Sequence, residues 1–412
     1  MPTLDIDRLR PGIFISLAEV GWLNHPFLLN QFRITNDKQI QALREMGLKC
    51  VAWDPSQSTV APLPEAAQSE AEPDFGALAL AGMLDEKRQR IARVQAQRER
   101  LARREREFEQ AAVSAAEVLQ AMGARPAESH AKAQAMVGRM VEGLLGAESV
   151  AIHLVNLKGK DHGLAFHALN VMVLSLLLGQ AMKLPAEDLK NLGLGALFHD
   201  AGKGEIPPRI LRAASRTPPE EEFYRAHVGY GIKAVAGMKQ MSTSARNIIA
   251  CHHERWDGSG FPNRLAGEKI PRLARIVAIA NRYDNLCNPF DLKQAKTPAE
   301  ALGQMFRDEA KHYDPELLQR FVKTMGVFPP GSFVGLDNGA VGLVVESDPT
   351  DLLHPVIMLY DPDVPRSEAI LLDLRDTGLK IEAALSPAKL PVAVVEYLAP
   401  RGRIDYYIEG AA

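Results

Sequence analysis

The sequence predicts a multidomain fold in which an all-α domain is flanked by a small N-terminal α+β domain and a small C-terminal β domain. Three observations support this prediction. The chain of 412 residues is longer than a single hydrophobic core usually organises. Apolar residues recur with helical spacing through the middle of the chain. Alternating runs rich in β-branched residues dominate its last part.

The N-terminal α+β domain is predicted over residues 1–55. Its apolar runs "GIFISL" and "CVAWD" indicate short strands. The segment "DKQIQALREMG" has the apolar spacing of a helix, and Gly47 suits its C-terminal cap. Residues 56–77 are rich in Pro, Ser, Ala and acidic side chains, so we interpret them as a linker.

Residues 78–120 predict a highly charged helix, because they combine strong helix formers with a long stretch free of proline. Its apolar side chains follow a heptad-like stripe. The stripe consists of Leu84, Ile91, Val94, Leu101 and Phe108. About three heptads is the minimum for a coiled coil. Two interpretations therefore stay open: a homodimer formed through 78–116, or a solvated connecting helix.

Residues 125–326 predict the all-α domain, and residues 328–412 predict the β domain. The segment "LAFHALNVMVLSLLLGQAM" is the most apolar helix, but His167, Asn170 and Gln180 interrupt it. It falls short of a clean span of ~20 apolar residues, so a buried core helix is expected and membrane insertion is not. In the β domain, "SFVGLDNGAVGLVVES", "HPVIMLYD" and "AILLDL" indicate strands, and the Asn-Gly pair indicates a hairpin turn.

The overall composition limits the classes of function. The formal net charge of −3 argues against binding to a nucleic-acid polymer, which needs clustered Lys and Arg. The three cysteines are far apart and form no disulfide framework, which favours a reducing cytoplasm. The first residues, "MPTLDIDRLRPG", lack the apolar core of a signal peptide. We therefore expect a cytoplasmic protein.

Histidines within apolar stretches are the strongest chemical signal of the all-α region. The set consists of His167, His199 with its neighbour Asp200, His227, His252 and His253. Taken singly, each is explained as a satisfied core or cap histidine. Together they would cost several kcal/mol per unsatisfied polar group if they were buried without partners. Divalent metal ions would satisfy them all. Asp200 could bridge two ions, a pair suited to phosphoryl displacement.

Three segments together resemble the HD-GYP subgroup of the HD phosphohydrolase superfamily. They are "FHDAGKGEIPPRIL", "HHERWDGSGFP" and "ARIVAIANRYDNL". The N-terminal unit resembles a domain that often precedes HD-GYP modules in bacteria. The resemblance implies a helical, HD-type phosphodiesterase of bacterial second-messenger signalling. Such an enzyme would hydrolyse cyclic di-GMP to pGpG and/or GMP through a hydroxide held between two metal ions.

The resemblance also implies roles for individual residues. The family's metal ligands match His167, His199, Asp200, His227, His252, His253 and Asn281. They would hold two divalent transition-metal ions; Fe or Mn is favoured, and Zn, Ni or Mg stays open. Lys203 would steady charge on the phosphate beside the catalytic Asp200, or would simply be a cation at a helix C-terminus. Gly260, Phe261 and Pro262 match the GYP loop, a docking site for GGDEF-type or other signalling proteins.

Three positions depart from the family pattern. Asn281 stands where the family has an aspartate ligand, and Asp284, one helical turn later, is a candidate to compensate. Gly163 stands where some members carry a glutamate for a third ion, so two ions at most are expected. Phe290 replaces an arginine, which leaves Lys293 as the cation for substrate phosphate.

These departures leave three hypotheses for function. The first is a weak but real cyclic di-GMP phosphodiesterase. The second is a degenerate HD-GYP module that keeps its metal and acts as a regulatory or protein-interaction domain. The third is an HD hydrolase of another phosphoester, which the Gly-x-Pro loop disfavours.

Overall fold

The computed structural model describes most of the chain. The described residues are 1–20, 25–27, 29–64, 76–146, 152–155, 163–213, 215–399 and 404–408. They group into two compact units. The first contains residues 1–100, 336–341 and 359–372, and the second contains 101–335, 342–358 and 373–412.

The N-terminal part of the first unit is an antiparallel sheet with one helix. Its elements are β1 (Thr3–Asp5), β2 (Phe14–Ser16), β3 (Gln31–Arg33), α1 (Asp37–Glu45) and β4 (Cys50–Asp54). The strand order is β1-β4-β2-β3. Ile13, Ile15 and Leu43 lie in the buried core. Helix α1 begins after Asn36, whose side chain accepts a hydrogen bond from the Gln39 N–H. Gly47 follows its last turn with φ of 72°, which favours glycine.

Helix α2 (Gly76–Ala121) occupies the predicted charged segment. Its Phe108 is buried and packs against Phe166 and Tyr407, with ring centroids 5.8 and 6.3 Å away. This last position of the heptad-like stripe is therefore used within the chain. The side chains of the other four stripe residues lie outside the described ones, so dimerisation through 78–116 stays a prediction.

Helices dominate the second unit. They are α3 (Pro126–Gly146), α4 (Gly163–Ala181), α5 (Ala186–Phe198), α6 (Pro208–Leu211), α7 (Pro218–Arg225), α8 (His227–Ala234), α9 (Thr243–Cys251), α10 (Arg272–Cys287), α11 (Pro298–Arg307) and α12 (Pro315–Met325). Helix α4 packs against α5 and α10. By length and composition α4 could cross a membrane, but 78% of its most apolar window is buried inside the protein. It is the core helix of this unit, as its polar interruptions predict.

The described residues also form a seven-stranded sheet, most of whose strands come after α12 in the chain. Its strands are β5 (Ile152–Val155), β6 (Phe333–Leu336), β7 (Val341–Asp348), β8 (Asp351–Leu359), β9 (Leu371–Asp373), β10 (Ile381–Leu385) and β11 (Asp405–Ile408). The order is β10-β6-β7-β5-β11, and β8 pairs with β7 and β9. A further helix, α13, spans Val392–Leu398.

The sheet differs in one respect from the sequence-based expectation. Strand β5 comes from the segment predicted to be helical, and it pairs antiparallel with β11, Ile152 opposite Ile408. It also pairs with β7, Ile152 opposite Ser347. Four residues are too few to show a period, so only pairing with distant strands identifies "IHLV" as a strand.

Candidate metal centre

Helix α5 delivers the central His-Asp pair. His199 follows Phe198 as the helix C-cap, and Asp200 precedes a 3-10 turn over Ala201–Glu205. That turn lies so close to α8 that a Cβ at Gly202 would come within 2.0 Å of the His227 carbonyl oxygen. Glycine is therefore required at this position, because any side chain would push the turn away from α8 and separate Asp200 from His227.

Three of the histidines are oriented in the same way by the backbone. His199 Nδ1 donates to Ala196 O at 2.7 Å, and His252 Nδ1 donates to Ile249 O at 2.9 Å. His227 Nδ1 donates to the carbonyl three residues earlier at 2.6 Å. A carbonyl only accepts, so Nδ1 carries the proton and the Nε2 lone pair is left for a metal ion. His252 Nε2 is buried and makes no hydrogen bond.

The ligand atoms form two groups that share Asp200. One group is His167, His199 and Asp200; the other is Asp200, His227, His252 and His253. Within each group the donor atoms lie within 4.8 Å of one another. The structure therefore brings together the six residues that the histidine pattern of the sequence singles out.

The two carboxylate oxygens of Asp200 face different histidines. Oδ2 lies 3.2 Å from His167 Nε2 and 3.3 Å from His199 Nε2. Oδ1 lies 3.5 Å from both His227 Nε2 and His252 Nε2. This arrangement suits a carboxylate that bridges two cations, because each oxygen belongs to one group of imidazoles.

Burial favours the neutral form of four of the imidazoles, which is the form that binds metal. It lowers the pKa of His199, His252 and His253, and it lowers the pKa of His227 to about 4. His167 is the exception: burial opposes its protonation, but its hydrogen bonds to Asp200 and Asp284 outweigh burial and raise its pKa to about 9. Neutral imidazole is the ligand form, so four of the five histidines are ready to coordinate a cation.

Lys203 lies against the shared carboxylate. It is buried, its ammonium pairs with Asp200, and it lies 5.7 Å from the centre of the Tyr224 ring. Burial alone would raise the pKa of Asp200, but the ammonium of Lys203 holds it well below its usual range. The guanidinium carbon of Arg216 lies 3.9 Å from the centre of the Tyr224 ring. The structure therefore places Lys203 at the site, and its neighbour Tyr224 is a residue that the sequence reasoning missed.

Two predicted residues on α10 take different positions. Asn281 is buried, and its Oδ1 accepts a hydrogen bond from Asn285 Nδ2 at 2.6 Å. Asp284 does not belong to either group of ligand atoms. Instead its Oδ2 accepts from His167 Nδ1 at 2.6 Å. The expectation that Asp284 substitutes for a ligand is therefore replaced by a supporting role: it orients His167, as carboxylates behind metal-binding histidines do.

The loop with the sequence Gly260-Phe261-Pro262 covers the second group of ligands. The ring of Phe261 stacks on His253, with centroids 4.5 Å apart and an angle of 18° between the planes. A Cβ at Gly260 would lie 2.3 Å from Arg255 N, so the loop packs directly against the backbone of residues 253–255. The loop is therefore built into the site, and its aromatic ring makes contact without a hydroxyl.

Glu254 ties this loop to the His-His pair. It is buried, its Oε1 accepts from the Asn263 N–H at 2.7 Å, and its Oε2 accepts from the Leu265 N–H at 2.9 Å. Sequence reasoning assigned Glu254 no role beyond the motif. The signal available in the sequence was its position directly after His252 and His253 and before a glycine-containing turn.

We expect Glu254→Gln to loosen the loop, because glutamine keeps only one of the two acceptor oxygens and places its NH2 group against a backbone N–H donor. The free energy of unfolding should fall by about 1–3 kcal/mol, and cleavage near Phe261 in limited proteolysis should accelerate. The exposed Glu268 provides a control, since Glu268→Gln removes a carboxylate of the neighbouring turn. Equal behaviour of the two variants would contradict this role.

The two positions expected at the substrate end are exposed. Phe290 is 66% exposed and stacks under the Arg212 guanidinium at 5.2 Å. Lys293 is exposed as well. Gly163 is the first residue of α4 and brings no side chain to the site. Arg212 is a cation that the sequence reasoning did not consider.

The fold and the site define a helical protein with a candidate centre for divalent metal ions. A family described as HD domain matches residues 148–317, and a family described as a domain of unknown function (DUF3391) matches residues 2–133. A protein of Pseudomonas aeruginosa named as a cyclic di-GMP phosphodiesterase is 30% identical over 87% of this chain and 84% of its own length.

Two further relatives match a smaller share of the chain. A 3'3'-cGAMP-specific phosphodiesterase of Vibrio cholerae is 36% identical over 32% of this chain and 26% of its own length. A response regulator of Xanthomonas campestris, named as a cyclic di-GMP phosphodiesterase, is 32% identical over 36% of this chain and 39% of its length. The chain belongs to the HD-GYP phosphodiesterase family of the HD domain proteins.

Proposed function

We propose that the protein hydrolyses cyclic di-GMP to pGpG and/or GMP. The observation that carries the proposal is the orientation of Asp200, whose two oxygens each face a different pair of imidazoles. The relatives named as cyclic di-GMP phosphodiesterases support the choice of substrate.

The proposed ligands of two divalent ions are His167, His199, Asp200, His227, His252, His253 and Asn281. When bound, such ions supply Lewis-acid activation of water and of the phosphate. The donor set of imidazoles and one carboxylate fits Fe or Mn, with Zn, Ni or Mg as alternatives. The unpaired Nε2 of His252 also fits a metal ligand, because a buried acceptor without a partner is costly.

The chain's own groups prepare the site for a phosphodiester. Backbone carbonyls hold the protons of His199, His227 and His252 on Nδ1 and so direct Nε2 inward. Lys203 stays protonated, because Asp200 outweighs burial and raises its pKa. Its ammonium would neutralise charge that develops on a non-bridging phosphate oxygen. Phe261 shields one face of His253 from water.

The remaining assignments extend this proposal to the whole chain. We assign residues 1–55 to an α+β domain, 56–77 to a linker, 78–120 to a charged helix, 125–326 to the HD-GYP domain and 328–412 to a β region. We further propose a cytoplasmic location, a partner of the GGDEF type at the Phe261 loop and self-association through the charged helix. The partial exposure of Phe261 supports the docking role.

A metal-containing regulatory module with little turnover is the second candidate function. Asn281 favours it, because an amide brings no negative charge to the metal. Phe290 favours it as well, because its exposed ring stands where the family has an arginine.

Turnover by the metal-loaded protein tests the proposal. We expect protein loaded with Mn²⁺ or Fe²⁺ to convert cyclic di-GMP to pGpG or GMP, measured by chromatography, and His199→Ala to abolish the reaction. A variant of an exposed histidine, His354→Ala, should leave it unchanged. Full metal content without product would favour the regulatory module, and full activity of His199→Ala would refute the assigned centre.

A further inference from the structure

Strand β11 lies next to the carboxylate that supports His167. We infer that Asn170 and Asn288 clamp the backbone at residues 404–406 to Asp284, and so act as positioning residues for the metal ligand His167. This inference rests on the proposed function, since it assigns His167 to the metal centre. It adds the last described strand of the chain to the support of that centre.

Asp284 is held by three side chains at once. Its Oδ2 accepts from His167 Nδ1, and its Oδ1 accepts from Asn170 Nδ2 and from Asn288 Nδ2, both at 2.9 Å. Asn170 is 0% exposed and Asp284 1% exposed. In such a dry environment each lost hydrogen bond leaves a costly unpaired group, so the arrangement is fixed rather than one of several.

The same two amides bind the chain at residues 404–406. Asn170 Nδ2 lies 3.1 Å from Ile404 O and 3.0 Å from Asp405 Oδ1, and Asn170 Oδ1 accepts from the Tyr406 N–H at 3.0 Å. Asn288 Nδ2 donates to Ile404 O at 2.7 Å, and Asn288 Oδ1 accepts from the Ile404 N–H at 2.8 Å. Each amide therefore binds the Asp284 carboxylate on one side and the backbone at residues 404–406 on the other.

This double attachment has a direct consequence for His167. The terminal torsion of an aspartate is broad, so a carboxylate held by one bond can rotate. The two amides fix Oδ1 of Asp284, which leaves Oδ2 aimed at His167 Nδ1. The proton then stays on Nδ1 and directs Nε2 toward Asp200, 3.2 Å away. Without the strand, the amides lose their second set of partners and the carboxylate loses its fixed orientation.

The chain offers a matched control. Tyr283, on α10 beside Asp284, also binds β11, because its hydroxyl lies 2.8 Å from the Tyr406 hydroxyl. The hydrogen bonds of the Asp284 carboxylate come from His167, Asn170 and Asn288 in the described structure. Tyr283→Phe therefore removes one hydroxyl bond to the strand and leaves the hydrogen bonds of Asp284, Asn170 and Asn288 in place.

Metal affinity tests the inference. Metal-free protein is titrated with Mn²⁺ in a calorimeter, and circular dichroism melting verifies that each variant is folded. We expect Asn170→Ala and Asn288→Ala to weaken Mn²⁺ binding by ~10-fold or more, as supporting residues of metal sites do. Tyr283→Phe should bind Mn²⁺ like the wild type. Asn288 is only half-buried, so its variant keeps the test informative if Asn170→Ala does not fold.

The outcomes separate this inference from the proposed function. Wild-type affinity in folded Asn288→Ala would overturn the inference. An equal loss in Tyr283→Phe would also overturn it, because that variant keeps every hydrogen bond of Asp284 with Asn170 and Asn288. A wild-type protein that binds Mn²⁺ but hydrolyses no cyclic di-GMP would refute the proposed activity, whereas weaker binding by the asparagine variants would still support the positioning role.

Discussion

Replacing Asp200 by asparagine is expected to abolish phosphodiester hydrolysis and to remove most of the bound metal. Asp200 is the one residue common to both groups of ligand atoms, and its two oxygens face four of the five imidazoles. An amide has one oxygen and no charge, so it can neither bridge two cations nor balance them. We expect the rate to fall at least ~1,000-fold, which corresponds to about 4 kcal/mol of lost transition-state stabilisation.

Product formation and metal content, measured on the same samples, check this prediction. A suitable control is Asp314→Asn, because Asp314 is another buried aspartate of the same unit, caps α12 and pairs with Arg275. Asparagine can still cap a helix, so this variant should keep its metal and its activity. Retention of both by Asp200→Asn would exclude Asp200 as a bridging ligand.

Replacing Lys203 by methionine is expected to lower turnover while the metal stays bound. The ammonium pairs with Asp200 and lies beside Tyr224. In the loaded protein the ions would balance Asp200, which would leave the ammonium for the phosphate. Losing one such donor costs ~100- to 1,000-fold in kcat. Because the contact would strengthen only as charge develops, kcat and kcat/KM should fall by the same factor.

Steady-state kinetics together with metal analysis checks this prediction. Lys233, an exposed lysine of α8, provides the control, and Lys233→Met should behave like the wild type. If Lys203→Met lost its metal along with its activity, Lys203 would have a structural role at the end of α5. That outcome would favour the alternative of a cation at a helix C-terminus.

Most of the proposed ligand residues could be found from the sequence for a physical reason. Polar side chains interrupt apolar helical stretches at His167, His199 and His252, and a buried imidazole needs a partner. That argument uses only local periodicity and the cost of burial. The same reasoning predicted α4 to be a core helix, and 78% of its most apolar window is buried inside the protein.

Other features depended on long-range contacts and were not predicted. Asp284 was considered as a ligand, but it binds His167 across 117 positions of sequence. Asn170 served only as an argument against a membrane helix, yet it meets Asp405 across 235 positions. Helical periodicity shows which face of a helix is buried, but it does not show which other element lies against that face.

The sequence by itself determined the type of chemistry: an apolar helical region that carries five histidines and an aspartate, with a glycine-rich turn beside them. The tertiary structure alone decided which of these groups lie beside one another. It placed different imidazoles beside each oxygen of Asp200 and placed Asp284 behind His167. It also connected Asp284 to the residues at the start of β11 through Asn170 and Asn288. The reason is that burial is a property of each residue and its neighbours in the chain, whereas hydrogen-bond partners are selected only when distant helices and strands pack together.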